Sequence, residues 1–166
     1  MKFALISTIP ILSTIASGLA LPDLSRRGAV IRPSIAILVK DDFPAAPLPP
    51  TKIAEVSRTN GAHTVRTFLG FTVPACSGKC IISFSDAIAT SGSRRLQLFT
   101  TSGSINIGTF QVPPTGAGPA IVVNDFGLTF PCPVTATKLG YEVRPVWDSD
   151  YVTWDITKGG FIITCG

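Results

Sequence analysis

The sequence predicts an all-β fold, an antiparallel β-sandwich of jelly-roll or Greek-key type that carries two disulfides. Three observations predict it. From Thr51 onward the apolar residues fall in short runs rich in β-branched and aromatic side chains, and Gly, Pro, Ser and Thr interrupt them too often for a 3.6-residue period to persist. Turn formers such as Thr59-Asn60-Gly61, Thr90-Ser91-Gly92 and Lys158-Gly159-Gly160 separate those runs. Four cysteines, Cys76, Cys80, Cys132 and Cys165, form an even set, which an oxidising compartment pairs into two disulfides.

The opening stretch, MKFALISTIPILSTIASGLALP, places a lysine at Lys2, then an apolar run, then Gly18 and Ala20 in the −3 and −1 positions of a cleavage site. This is the three-part pattern of a secretory signal peptide, expected over residues 1–20. A transmembrane anchor would need roughly 20 strongly apolar residues; Ser7, Thr8, Pro10, Ser13, Thr14 and Ser17 break this run. Residues 21–27 end in Arg26-Arg27 and read either as a short propeptide cut after the dibasic pair or as two solvated arginines. Removing Lys2, Arg26, Arg27 and Asp23 takes the 14 basic and 10 acidic residues to 11 and 9, and the net charge from +4 to +2. No basic run longer than Arg94-Arg95 then remains, which argues against nucleic acid as a partner, since that demands a dense basic surface. The terminal GGFIITCG has no polar spacer followed by a hydrophobic tail, so the mature chain is expected to be secreted without a membrane anchor. Asn60, Asn106 and Asn124 all lack the Ser/Thr that N-glycosylation requires.

Residues 28–50 read as an N-terminal strand, Ser34 to Val39, and a proline-rich connector, FPAAPLPPT, in which each proline fixes φ and turns its predecessor away from helix. Residues 51–166 form the sandwich body, one domain with 28–50. Its predicted strands are Lys52 to Arg58, Val65 to Val73, Cys80 to Ser85, Arg95 to Thr100, Ile105 to Val112, Ala120 to Val123, Leu139 to Val146, Tyr151 to Ile156 and Gly160 to Thr164. Alternation gives them faces. Leu139, Tyr141, Val143 and Pro145 share one side of their strand, and Glu142 and Arg144 are expected to face water on the other. Val152, Trp154 and Ile156 share an apolar face, which places Trp154 in the core. Between these two strands Asp148, Ser149 and Asp150 read as the polar tip of a hairpin.

Four cysteines allow three connectivities, and spacing does not choose among them. Ser77-Gly78-Lys79 could fold a turn that brings Cys76 to Cys80. The rival is a tetrahedral zinc set, which secretion disfavours.

The segments LGFTVPACSGKCIISFSDA, GSRRLQLFTT, FPCP and GYEVRPVWDSDYVTWDITKGGFIITC together resemble the C-terminal domain of the fungal But-two proteins, named as ubiquitin-three-binding. The resemblance covers roughly Ile31 to Cys165 and lies in strand and turn signatures. It implies a secreted, single-domain, β-rich fungal protein with no assigned enzymatic activity. The family name points to ubiquitin-like conjugation machinery, which is cytosolic and nuclear. A secreted chain does not meet it, so that partner is not carried over.

No catalytic motif is complete. Asp148, Asp150, Asp155 and Glu142 could supply the two carboxylates of a glycosidase, but aspartates in turns usually serve local backbone groups. His63 is the only histidine and lies in a turn without a recognised serine frame. Asp148-x-Asp150 lacks the extended loop and terminal glutamate of a helix-loop-helix calcium site, which leaves a looser loop site open, and TGAGP at Thr115 to Pro119 lacks the lysine of a phosphate cradle. The reading is therefore a non-enzymatic protein of the extracellular space or cell surface, with no cofactor and no metal. Its alternative is a binding module for cell-wall polysaccharide in which Trp147 and Tyr151 stack on sugar rings beside Asp148 and Asp150. A small secreted glycoside hydrolase is the third reading.

Overall fold

A computed structural model describes residues 28–43 and 47–166. The expected signal peptide, the Arg26-Arg27 pair and residues 44–46 of the connector lie outside the described residues. The described residues contain strands and no helix: β1 (Ala29–Ile31), β2 (Ile35–Lys40), β3 (Ile53–Thr59), β4 (Ala62–Val73), β5 (Lys79–Phe84), β6 (Ala89–Gly92), β7 (Arg95–Thr100), β8 (Asn106–Gln111), β9 (Ile121–Asp125), β10 (Thr129–Pro131), β11 (Thr137–Pro145), β12 (Asp150–Asp155) and β13 (Phe161–Cys165).

All pairings are antiparallel. Four strands form one sheet in the order β1-β13-β5-β10, and nine form the other in the order β6-β12-β3-β4-β11-β7-β8-β9, with β2 also on β4. The larger sheet curls into a half-barrel, and the two together make a β-sandwich. The long strand β4 explains the curl. Its Thr67–Val73 portion pairs with β11, while its other edge is shared between β2 and the start of the β3 hairpin. The β3–β4 register shifts between Ser57 and Thr59, and such irregularities bend a strand and increase its twist.

Alternation sends Val56, Leu69, Phe71, Leu96, Leu98, Val143, Val152 and Trp154 from the large sheet, and Ile82, Phe84, Phe161 and Ile163 from the small one, into a common core. At its centre Phe84, Phe110, Trp154 and Phe161 meet edge-on, with centroid separations of 5.0 Å for Phe84–Phe161 and 5.1 Å for Phe110–Phe161. Each such pair adds about 0.5–1.5 kcal/mol beyond the area it buries. Gly160 makes the cluster possible: its φ is +77°, and any Cβ there would land on the Trp154 indole.

Four expectations are corrected. Thr90-Ser91-Gly92 is not a turn but belongs to β6, whose backbone pairs with β12. The strands β11 and β12 are not a hairpin, because the β3–β4 hairpin lies between them in the sheet. Glu142 does not face open water; it is 3% exposed beneath two arginines. One disulfide is formed, Cys80–Cys165, and Cys76 and Cys132 are thiols.

Candidate functional site

Since β11 and β12 are separated by two strands, residues Val146 to Ser149 cross the end of the β3–β4 hairpin. Backbone hydrogen bonds fix the crossing. Gly61 N–H donates to the Asp148 carbonyl at 2.8 Å, Ser93 N–H to the Ser149 carbonyl at 3.0 Å, and Val146 N–H to the Arg95 carbonyl at 3.1 Å. Gly92 permits the second contact, with a φ of +67° and no side chain to strike the Ser149 carbonyl.

This crossing presents Trp147, which is 55% exposed, and leads directly into Tyr151, which is 36% exposed. Tyr151 stands opposite Ser57 of β3 and Ser91 of β6 in the sheet register. Around it Glu55, Ser57, Arg58, Thr59, Ser91 and Ser149 line a groove of about 390 Å³. Its walls carry hydroxyls, a carboxylate and a guanidinium. Ser57 Oγ donates to Glu55 Oε1 at 2.9 Å, and Arg58 Nε to Thr64 Oγ1 at 3.0 Å. Of the lining, Tyr151 and Asp150 are among the residues that the sequence singles out, whereas Ser91 is not, because Thr90-Ser91-Gly92 reads as a turn.

The two predicted aspartates separate. Asp148 is exposed, as expected of a loop residue. Asp150 is 3% exposed and sits at the start of β12 on the core-facing side with Val152 and Trp154, so its expected place at an exposed turn is corrected. Its carboxylate faces the Ser93 hydroxyl and the N–H groups of Arg94, Arg95 and Val146, yet neither oxygen completes a well-formed hydrogen bond. Desolvation dominates and holds the Asp150 carboxyl above the usual aspartate range, against the pull of those donors. The two carboxylates do not converge on a common point.

Glu142 lies on another face of the large sheet. Arg66 Nη1 donates to its Oε1 and Arg144 Nη2 to its Oε2, each at 2.5 Å, and Arg66 also reaches Asp41 at 2.8 Å. The Arg144 guanidinium stacks 4.1 Å over the Phe99 ring. Desolvation raises the Glu142 carboxyl, but the two arginines outweigh it and hold the group below the usual glutamate range. His63 is exposed and bonds to Asp42 at 2.8 Å. Asp155 belongs to a different recess of about 440 Å³, shared with Asp86 and Lys158. There its Oδ1 accepts from Thr157 Oγ1 and N–H, while Asp86 Oδ1 accepts from Ala87 N–H. Both aspartates thus serve local backbone.

All four cysteine sulfurs lie within 4.8 Å of one another. Cys80 Sγ is bonded to Cys165 and stands 3.1 Å from Cys132 Sγ and 3.6 Å from Cys76 Sγ. With Cys80 and Cys165 joined, the set is a disulfide beside two thiols rather than four thiolates. Burial and then the adjoining Cys132 thiol push Cys76 up to about 11.

No family model and no curated protein matches this sequence. Among solved structures, a carbohydrate-binding module from Cellvibrio mixtus lichenase 5A, determined in complex with cellotriose, is similar to it with a TM-score of 0.35 and 13% identity. That alignment covers 84% of this chain and 98% of the other.

Proposed function

We propose that this chain is a secreted, non-enzymatic binding module of the fungal extracellular space, and that its ligand is a cell-wall polysaccharide. One observation carries the reading: Trp147 is exposed on the fixed crossing, and Tyr151, four residues on in β12, is exposed in a groove whose walls are hydroxyls and charged groups. Sugars present apolar C–H faces ringed by hydroxyls. Aromatic rings supply the first contact, and Ser57, Ser91, Arg58 and Glu55 supply donors and acceptors for the second. The hydrogen bonds that fix Val146, Asp148 and Ser149 hold the crossing before a ligand arrives, which lowers the ordering cost of binding.

The rest of the reading rests on the sequence. The signal-peptide pattern supports secretion, and the strand and turn signatures support kinship with the But-two C-terminal domain.

The test is retention on insoluble cellulose, chitin and β-glucan. Wild type is expected to stay with at least one of them, and Trp147→Ala to lose at least tenfold in affinity, about 1.4 kcal/mol, without a change in melting temperature. Equal retention of wild type and of the Trp147→Ala, Tyr151→Ala double variant would overturn the proposal.

A further inference from the structure

We propose that the four cysteines form one thiol–disulfide exchange centre, with Cys80 as the sulfur through which a cross-link passes between Cys165 and Cys132. The centre lies apart from the groove, on the small sheet, where β5 lies between β13 and β10 and each neighbour brings a cysteine to it. Cys165 is directly opposite Cys80 in the β13 register, and Cys132 follows β10, whose Phe130 is opposite Cys80. Cys132 N–H donates to the Gly78 carbonyl at 3.1 Å, and Cys76 N–H to the Pro133 carbonyl at 3.1 Å. The sulfurs are therefore placed by backbone ladders and turns.

One sulfur of the disulfide is consequently in contact with two thiols, at 3.1 Å from Cys132 and 3.6 Å from Cys76. Exchange proceeds by attack of a thiolate on a disulfide sulfur. Cys132, as the thiolate, attacks Cys80 Sγ. The Cys80–Cys132 bond forms as the Cys80–Cys165 bond breaks, and the bonding electron pair leaves on Cys165 Sγ, which takes up the proton that Cys132 gave up. Nothing is oxidised or reduced overall. Where Cys76 and Cys132 are themselves joined, a small external dithiol must first reduce that bond, becoming a disulfide as it does so, and Cys132 is then free to attack.

Exchange would move the cross-link from one side of β5 to the other. The freed cysteine lies on β13 opposite Ala29 of β1, so the β1–β13 edge would lose its covalent tie to β5 and keep only its backbone pairing.

The Cys76→Ser variant tests this most cleanly, because Cys132 is then the only thiol beside the Cys80–Cys165 bond. After incubation at mildly alkaline pH, the folded protein is quenched in acid, its thiols are alkylated, and its cross-linked peptides are mapped without reduction. The expected result is two populations, Cys80–Cys165 and Cys80–Cys132, with one alkylated Cys165 for every Cys80–Cys132 link. Cys80 linked to Cys165 alone, with Cys132 always alkylated, would overturn the proposal. Should that variant fold poorly, wild type under a mild dithiol gives the same reading: both Cys80 links sustain the exchange, and Cys80–Cys165 alone defeats it.

Discussion

Arg66 donates from Nη1 to Oε1 of Glu142 at 2.5 Å, across 76 positions of sequence, and so joins β4 to β11 by a partly buried charge pair. Glu142 is the better buried partner, and Arg144 occupies its second oxygen. Removing the carboxylate charge leaves two arginines facing each other. Glu142→Gln is expected to destabilise the fold by about 3 kcal/mol, a drop of roughly 10 °C in melting temperature for a domain of this size. Thermal unfolding checks it, and a loss below about 1 kcal/mol would place Glu142 among ordinary surface pairs.

The same group sets a pH dependence. Because the folded Glu142 carboxyl titrates below its unfolded value, the unfolded chain binds more protons in acid, and this contribution is present above the ordinary glutamate range and lost as pH falls through the folded value. Wild type should lose more stability on acidification than Glu142→Gln does. Parallel pH–stability curves would contradict the assignment.

Asp150 carries the opposite sign. Desolvation raises its carboxyl, so the folded chain holds the proton more tightly than the unfolded one. The stability it contributes is present in acid and is lost as pH rises through the raised value. Asp150→Asn keeps a polar group opposite Ser93 and the neighbouring N–H groups without the charge. It is expected to melt above wild type at neutral pH, with the gap closing in acid. A variant that melts lower at neutral pH would mean that the carboxylate is ionised and well bonded.

Gly160→Ala tests the packing of the aromatic core. The new methyl meets Trp154 at a backbone φ of +77°, so both strain and overpacking act against it. A loss of at least about 2 kcal/mol is expected from these two effects, measured by denaturant unfolding. A neutral substitution would show that the Trp154 ring moves freely.

The sequence was legible where a strand is long and its alternation clean. The limits of β7 agree with the predicted Arg95 to Thr100, and Trp154 and Tyr141 point inward as the pattern requires. It was opaque for β1, β6 and β10, which span three or four residues, too few for a period to register. Alternation placed Glu142 correctly on the face shared with Arg144. What it lacked was Arg66, brought over the carboxylate by a pairing of distant strands. The false hairpin at Asp148–Asp150 has a related origin. Consecutive strands joined by a short polar link usually pair, but here the β3–β4 hairpin is wedged between them. Asp150 therefore became the first residue of a strand with its side chain inward, and only Trp147, Asp148 and Tyr151 of the predicted site stayed at the surface. Cysteine spacing left three connectivities open, and the direct pairing of Cys80 with Cys165 across β5 and β13 selects one bond of the set.

The two tryptophans report on sugar binding separately, since Trp147 is 55% exposed and Trp154 is wholly buried. Acrylamide quenching of intrinsic fluorescence is measured while soluble oligosaccharides of cellulose, chitin and β-glucan are titrated in. At least one of them is expected to shield the quenchable fraction and shift its emission to the blue, and Trp147→Phe to abolish both changes while the unquenched Trp154 signal stays as it was. Quenching of wild type unaltered by every oligosaccharide at saturating concentration, or a shift that persists in Trp147→Phe, would contradict sugar binding at Trp147.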